Sequence, residues 1–242
     1  GFAAWGPRAQ MLPETIENGC DIILFSPDPE ADHALIEAAI ADGRISPARL
    51  KAALIRVLGL KAALGLHKAP FTPVNRAALG RPENRAKARA ITARAPVLVK
   101  DTQNLLPLSP DRHRRLLIVS GGIISPIHPD PAPFALPDML RHAGFEVTLH
   151  QPGQPIDART HDALLYLFGE ETLLTRGRIF LDWAKLAGGF NGAMARHWHD
   201  IPTAMISFGY PYYLYDAPRV PTYINAFATM ETMQAAVLDC LL

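Results

Sequence analysis

Two adjacent carboxylates, Glu170 and Glu171, follow Gly169 and the apolar run at residues 163–168. The run is typical of a buried strand, and ligand contacts in α/β sheets gather beyond the carboxyl ends of parallel strands. Glu170 is therefore a candidate for a side chain that contacts a ligand. The alternative is that both glutamates simply begin a helix, where the helix dipole favours negative side chains.

Another apolar run, residues 203–208, ends in a group of aromatic residues. They are Phe208, Tyr210, Tyr212, Tyr213 and Tyr215. Rings at such a position either form a stacking platform for a carbohydrate or a base, or pack in the core and against a neighbouring domain. Packing is the commoner fate of large apolar side chains. We expect packing here and keep the stacking platform as the alternative.

The 242 residues are 49% hydrophobic and carry 24 basic against 23 acidic side chains. A chain of this length and composition is expected to form one large or two smaller globular domains. The balanced charge gives no support for nucleic acid or an anionic membrane surface as a partner. No apolar run approaches the roughly 20 residues that span a bilayer, so no membrane partner is expected.

The first part of the chain is predicted to form one strand between helices. Residues 20–26 are an Ile-rich run between Gly19 and Pro27, which is typical of a parallel strand buried on both faces. Helices are predicted at residues 7–18, 32–41 and 47–64, each followed by a glycine stop signal. One parallel strand cannot form a sheet by itself, so this part is expected to complete something larger.

The rest of the chain is predicted to be a separate α/β domain. Residues 67–82 contain three prolines, and their apolar residues do not recur at the spacing of a helix or a strand. Both features indicate an interdomain linker. Alternation of strands and helices beyond it indicates a mostly parallel sheet covered on both faces, an α/β sandwich. The predicted strands are residues 97–99, 116–120, 145–149, 163–168 and 203–208, and the predicted helices are 84–95, 134–143, 179–198 and 230–242.

Three motifs in the first part resemble the end of the catalytic barrel in glycoside hydrolase family 3. Residues 17–25 (ENGCDIILF) look like the turn and last strand of that barrel, and residues 40–46 (IADGRIS) look like the opening of a helix. Residues 56–66 (RVLGLKAALGL) resemble the segment that closes the domain. The resemblance implies that residues 1–66 are the C-terminal end of a (β/α)8 barrel, with its last β-α unit.

Two further motifs resemble the second domain of the same family. Residues 98–108 (LVKDTQNLLPL) are similar to its opening segment, with Asp101 where Asn is usual. Residues 201–218, which include FGYPY, resemble its closing strand and turn, whereas residues 121–159 match least well. The resemblance implies a linker at 67–82 and an α/β sandwich domain at 83–242, as in the two-domain β-N-acetylglucosaminidase branch.

The resemblance also implies a retaining glycosidase, which uses two carboxyl groups about 5 Å apart. Its nucleophile is an Asp that closely precedes a segment like residues 1–6 (GFAAWG), so the register places it upstream of Gly1. No acidic residue precedes Glu14, and this chain alone is therefore expected to be inactive. Phe2 and Trp5 follow the expected nucleophile and would either line a sugar subsite or only pack the loop.

The acid/base residue has two alternatives within this family. In the N-acetylglucosaminidase branch it is a His on a barrel loop, which lies outside this sequence. In the β-glucosidase branch it is a Glu of the second domain, on a loop after a strand, and Gly169-Glu170 has that appearance. Glu170 is then the one candidate catalytic carboxylate of this chain.

We therefore expect the parent protein to be an exo-acting glycoside hydrolase that releases terminal β-linked N-acetylglucosamine, with no metal or other cofactor. Its expected partners are a carbohydrate substrate and the remainder of the barrel. The alternatives are a β-glucosidase with Glu170 as acid/base, a non-catalytic α/β scaffold or binding domain, and an unrelated nucleotide-binding α/β protein.

Overall fold

The computed structural model describes residues 4–68, 75–125, 130–151, 158–171 and 177–242. The chain divides into two compact units, Gly1–Arg76 and Ala77–Leu242, which we call unit 1 and unit 2. The boundary between them falls within the segment 67–82 that the sequence indicates as a linker. Among the described residues, no helix is both long enough and apolar enough to span a bilayer.

Unit 1 contains three helices: α1 (Arg8–Glu17), α2 (Pro29–Ala41) and α3 (Pro47–Ala63). The side chains of Asp28 and Ser46 accept backbone N–H bonds in the first turns of α2 and α3, and a proline follows each of them. Both features favour a helix start. Gly43 and Gly65 follow α2 and α3 with φ of 82° and 70°, a region in which glycine is not strained. The three predicted helices are confirmed.

Ion pairs connect the helices of unit 1. The carboxylate of Asp32 on α2 is only 5% exposed and accepts hydrogen bonds from the guanidinium of Arg8 on α1 and from the hydroxyl of Ser26. Asp21, between α1 and α2, accepts a hydrogen bond from Arg49 of α3 at 2.6 Å. The loop at residues 18–28 is thereby tied to all three helices.

The predicted strand at residues 20–26 does not form. These residues belong to no strand, and Ile22, Leu24 and Phe25 are 60%, 71% and 94% exposed. The prediction of a strand buried on both faces is therefore wrong for this chain. Its physical reason is that a strand needs neighbours for its backbone N–H and C=O groups, and the described part of unit 1 contains no other strand. That residues 1–66 are the C-terminal end of a larger barrel stays a prediction.

Unit 2 is built on a six-stranded sheet. Its strands are β1 (Val97–Asp101), β2 (Arg115–Ile124), β3 (Glu146–Leu149), β4 (Ala163–Glu170), β5 (Thr203–Ser207) and β6 (Thr222–Asn225). Their spatial order is β1-β6-β5-β4-β2-β3. Only the β1–β6 pair is antiparallel. The mostly parallel sheet predicted from the sequence is confirmed.

Each face of the sheet buries an apolar cluster, because alternate residues of a strand point to opposite sides. On one face, Leu116 and Ile118 of β2 share a core with α5 (Leu136–His142) and α8 (Glu231–Leu241). On the other face, Leu117 and Val119 share a core with segments that follow β4 and β5. A further helix, α4 (Pro82–Thr92), precedes β1 and packs against α8.

The continuous helix predicted at residues 179–198 is wrong. Two short helices, α6 (Trp183–Leu186) and α7 (Phe190–Ala193), and a three-residue 3-10 turn occupy this segment. Gly188 and Gly189 separate the two helices with φ of 72° and 132°. A right-handed helix cannot pass through this region of backbone conformation, so the helix ends at the glycine pair.

Candidate functional site

The candidate site lies at the carboxyl edge of the sheet in unit 2. Because β2, β4, β5 and β6 are parallel, their carboxyl ends meet at one edge. Glu170 is the last residue of β4 and lies opposite Ile124, the last residue of β2. Glu171 lies in irregular backbone, and the residues where a helix would continue, 172–176, lie outside the described residues. Glu170 thus occupies the position at which α/β sheets contact ligands.

The turn after β5 lies directly on the backbone of Glu170. The N–H of Tyr210 donates a hydrogen bond to the carbonyl oxygen of Glu170 at 2.8 Å. A Cβ atom at Gly209 would lie 2.4 Å from the same oxygen, so this approach requires a glycine. The FGYPY turn and the end of β4 are therefore held together by contacts that leave no room for a side chain.

The side chain of Glu170 lies on the same face of the sheet as Tyr213. Phe168, Ser207 and Asn225 are register partners on three neighbouring strands and share one face, and Glu170 follows Phe168 by two residues. The ring of Tyr213 is 2% exposed and lies 5.1 Å from the ring of Phe168. Burial, and then the negative charge of Glu170, raise the pKa of the Tyr213 hydroxyl above its usual range. The negative charge of Glu170 and the buried Tyr213 hydroxyl therefore lie on the same face of the sheet and interact electrostatically.

Glu171 has a connecting role. Its Oε1 accepts hydrogen bonds from the backbone N–H and the hydroxyl of Thr229, at 3.1 and 3.0 Å. Thr229 lies between β6 and α8, so these bonds join the end of β4 to the start of the last helix. Glu171 therefore links two elements of unit 2, whereas Glu170 ends β4 at the carboxyl edge of the sheet.

Asn225, at the carboxyl end of β6, is a candidate that the sequence does not reveal. Its Oδ1 is buried and has no hydrogen-bond partner among the described residues. Leaving such an acceptor unpaired costs about 1–3 kcal/mol, which makes it a candidate for contact with a ligand or a water molecule. Sequence reasoning missed it because it did not predict β6, whose four residues between Pro221 and Ala226 give too short a pattern.

Of the two aromatic candidates of the N-terminal segment, the structure describes Trp5. Trp5 is 83% exposed and precedes α1, so the loop does not pack its ring. Phe2 lies outside the described residues. That Phe2 and Trp5 line a sugar subsite stays a prediction.

The expectation of packing for the aromatic cluster after β5 holds for only part of it. Phe208 and Tyr213 are 0% and 2% exposed and belong to the two cores of the sheet. Tyr212 and Tyr215 are instead 55% and 84% exposed. These two rings do not pack in the core of unit 2, because the turn directs them away from the sheet. Their packing against a neighbouring domain stays a prediction.

No arrangement of three or more His, Cys, Asp or Glu side chains suited to a metal ion occurs within the described ranges. The candidate site consists of Glu170, Tyr213 and Asn225, which lie on one face of the sheet.

Comparison with known proteins gives one curated relative and many similar structures. No family model matches the chain. The chain is 36% identical to a β-N-acetylglucosaminidase/β-glucosidase of Cellulomonas fimi, over an alignment of 258 positions that covers 98% of the chain. It spans 45% of that relative, so it corresponds to less than half of the relative's length.

Solved structures of similar proteins match nearly the whole chain. A β-glucoside phosphorylase, BglX, has a TM-score of 0.72 at 26% identity, covering 99% of this chain and 44% of the phosphorylase. BglX bound to 2FGlc has a TM-score of 0.68 at 27% identity. A glycoside hydrolase family 3 β-N-acetylglucosaminidase from Paenibacillus sp. str. FPU-7 shares the fold, with a TM-score of 0.59 at 18% identity, over 96% of this chain and 45% of that protein. The chain is similar to the C-terminal portion of these relatives and shares the fold of that portion of a glycoside hydrolase family 3 enzyme.

Proposed function

We propose that the protein containing this chain hydrolyses O-glycosidic bonds and releases terminal β-linked N-acetylglucosamine. The observation that carries the proposal is the 36% identity with the β-N-acetylglucosaminidase/β-glucosidase of Cellulomonas fimi, because it extends over 98% of this chain. The reaction is a double displacement: a carboxylate attacks the anomeric carbon, and water then hydrolyses the glycosyl-enzyme.

In this proposal the chain supplies the end of the barrel at residues 1–66, a linker at 67–82 and the α/β sandwich domain at 83–242. The nucleophile and, for N-acetylglucosamine, a His acid/base come from barrel segments outside this sequence. The exposure of Ile22, Leu24 and Phe25 supports such a division, because neighbouring barrel strands would bury these side chains. The 242-residue chain alone is then inactive.

A β-glucosidase is the alternative in which unit 2 takes part in the chemistry. The protonated carboxyl group of Glu170 would donate its proton to the glycosidic oxygen as the bond from this oxygen to the anomeric carbon breaks. The carboxylate would then take a proton from the attacking water in the second step. Its position at the carboxyl end of β4, on the face of the sheet that carries Tyr213, supports this role.

Phosphorolysis is a second candidate, favoured by the TM-scores of 0.72 and 0.68 with BglX at 26% and 27% identity. Phosphate would replace water in the second step, so that a phosphate oxygen attacks the anomeric carbon and the enzyme carboxylate leaves. The product would be a sugar 1-phosphate instead of a free sugar. The two reactions share the first step and differ only in the acceptor.

The test uses the full-length protein with nitrophenyl β-N-acetylglucosaminide and β-glucoside, with and without inorganic phosphate, and identifies the sugar products. We expect free N-acetylglucosamine, whereas a phosphate-dependent sugar 1-phosphate would assign the protein as a phosphorylase. No turnover under any of these conditions would leave the non-catalytic scaffold as the function.

Glu170→Gln is compared with Glu171→Gln on diacetylchitobiose and cellobiose, because a sugar leaving group needs protonation more than nitrophenolate does. A barrel His as acid predicts that Glu170→Gln stays within a few-fold of wild type. A loss of about 10²–10⁴-fold confined to Glu170→Gln would instead assign Glu170 as the acid/base.

A further inference from the structure

The exposed rings of Tyr212 and Tyr215 form a small aromatic surface on unit 2, which we call the tyrosine surface. The two rings are 6.2 Å apart between centroids and tilted by 42°. The ring of Tyr210 continues the row, in an edge-on contact with Tyr212 at 5.4 Å. Flat rings with a hydroxyl at the edge combine an apolar face with a polar rim.

The tyrosine surface is fixed from below by buried residues. Tyr213 and Ala217, on either side of Tyr215 in the chain, are 2% and 1% exposed, and the N–H of Tyr215 donates to the carbonyl of Tyr212 at 3.0 Å. The hydroxyl of Tyr223 donates to the carbonyl of Pro211 at 3.1 Å. The backbone that carries the exposed rings is therefore ordered before any ligand binds, which lowers the entropic cost of binding.

The tyrosine surface is continuous with the candidate site. Tyr210 links the two, since its backbone N–H donates to the Glu170 carbonyl at 2.8 Å and its ring contacts that of Tyr212. Tyr212 and Tyr215 therefore follow, within five residues of the chain, the residue that contacts the end of β4.

The charge of the segment indicates a neutral ligand. Residues 201–215 contain no Asp, Glu, Lys or Arg. Asp216, which follows Tyr215, is paired with Arg178 at 3.8 Å, so these two charges beside the tyrosine surface offset each other. Phosphate-rich ligands such as nucleic acids and anionic lipids are bound chiefly through Lys and Arg, which this segment lacks. A pyranose ring matches the surface, because it presents an apolar face of C–H groups and a rim of hydroxyls.

We propose that Tyr212 and Tyr215 bind a neutral β-linked oligosaccharide by stacking on sugar rings beyond the unit that is cleaved. The class of sugar, β-linked N-acetylglucosamine or glucose, rests on the proposed function. The tyrosine surface acts as a binding site of unit 2 and takes no part in bond cleavage.

The test is calorimetric titration of the 242-residue chain with chitotetraose and with cellotetraose. We expect one of them to bind, and the double variant Tyr212→Ala/Tyr215→Ala to bind about tenfold more weakly. The double Phe variant should retain most of the affinity, because it keeps both rings. Phe190→Ala is the matched control, since Phe190 is a 78% exposed ring elsewhere in unit 2.

Binding that is unchanged in the double Ala variant, or no binding of either tetrasaccharide by the wild-type chain, would overturn the inference. A change of sedimentation or melting temperature in the double Ala variant, with sugar binding unaffected, would assign the surface to a protein contact and also overturn it. These outcomes are separate from turnover by the full-length protein. Tyrosine-dependent binding without turnover would reject the proposed function, and turnover with tyrosine-independent binding would reject the inference.

Discussion

At the scale of single residues, the buried Asp32 carboxylate of unit 1 is the clearest source of pH dependence. Hydrogen bonds from Arg8 and then Ser26 lower the pKa of Asp32 to about 2, from an ordinary value of 3.8. Because the pKa in the folded state lies below the unfolded value, the stabilisation is fully present above 3.8 and is lost as pH falls through about 2. We expect Asp32→Asn to lower the urea midpoint of unit 1 at pH 7. The decrease in this midpoint between pH 7 and pH 2 should be smaller in the variant than in the wild type.

The measurement is circular dichroism during urea unfolding at pH 7 and pH 2. Glu30→Gln is the control, because Glu30 lies in the first turn of the same helix and is exposed. If the urea midpoint at pH 7 decreased equally in the two variants, the role assigned to the Asp32 contacts would be contradicted.

Glu170 also illustrates how much of the candidate site the sequence can predict. The apolar run at residues 163–168 predicts a strand, and the position of Glu170 at its carboxyl end follows from that strand. The neighbours of Glu170 come from other parts of the chain, more than 40 residues later. Tyr213 and Asn225 reach the same face only because β4, β5 and β6 pair in one register, which no local pattern encodes.

At the scale of elements, α5 depends on a side chain from another helix. Its N-cap, Ala135, has no capping group, and the Oε1 of Gln234 on α8 accepts from the N–H groups of Ala135 and Leu136 at 2.7 and 2.9 Å. Gln234 is 3% exposed, so water cannot easily replace these bonds. We expect Gln234→Leu to destabilise unit 2 by about 1–3 kcal/mol, because two buried donors lose their acceptor.

The free energy of unfolding of Gln234→Leu is obtained from urea titration, beside the exposed Asp239→Ala on the same helix. If Gln234→Leu lowered the free energy of unfolding no more than Asp239→Ala does, α5 would not need the cap.

The elements predicted correctly are those whose ends are encoded locally. Helix α3 begins at Ser46-Pro47, where the capping side chain and the proline are adjacent in sequence, and its start was predicted at residue 47. The similar Asp28-Pro29 start of α2 was not recognised, so that the predicted helix begins at residue 32, three residues late. A helical stretch was predicted near residues 179–198 without regard to Gly188 and Gly189, whose positive φ values divide it. Strand β6 was not predicted because its stability comes from pairing with β1 and β5, not from its four residues.

At the scale of the whole molecule, the two units bury very different amounts of apolar surface. Among the described residues, the buried apolar side chains of unit 1 are those of Leu12, Pro13, Ala39, Ile45 and Ala53. Strand β4 alone has seven buried residues in succession, 163–169. The motifs of residues 17–66 indicated a piece of a larger barrel, and the exposed Ile22 and Leu24 are consistent with that origin. What the sequence could not give is the conformation of such a piece, since its strand depends on neighbours outside this sequence.

This imbalance predicts unequal stability within the 242-residue chain. Local unfolding is easiest where few apolar contacts are buried, so the amides of α1, α2 and α3 should exchange with deuterium faster than those of β2, β4 and β5. Hydrogen exchange followed by mass spectrometry resolves the two units in one experiment. In the full-length protein, the same helices should become better protected, because added barrel segments would cover Leu54, Ile55 and Leu58 of α3, which are 50%, 62% and 58% exposed in this chain. Equal protection of α3 in the two proteins would mean that nothing in the full-length protein packs on this face, and the assignment of unit 1 to a barrel would then fail.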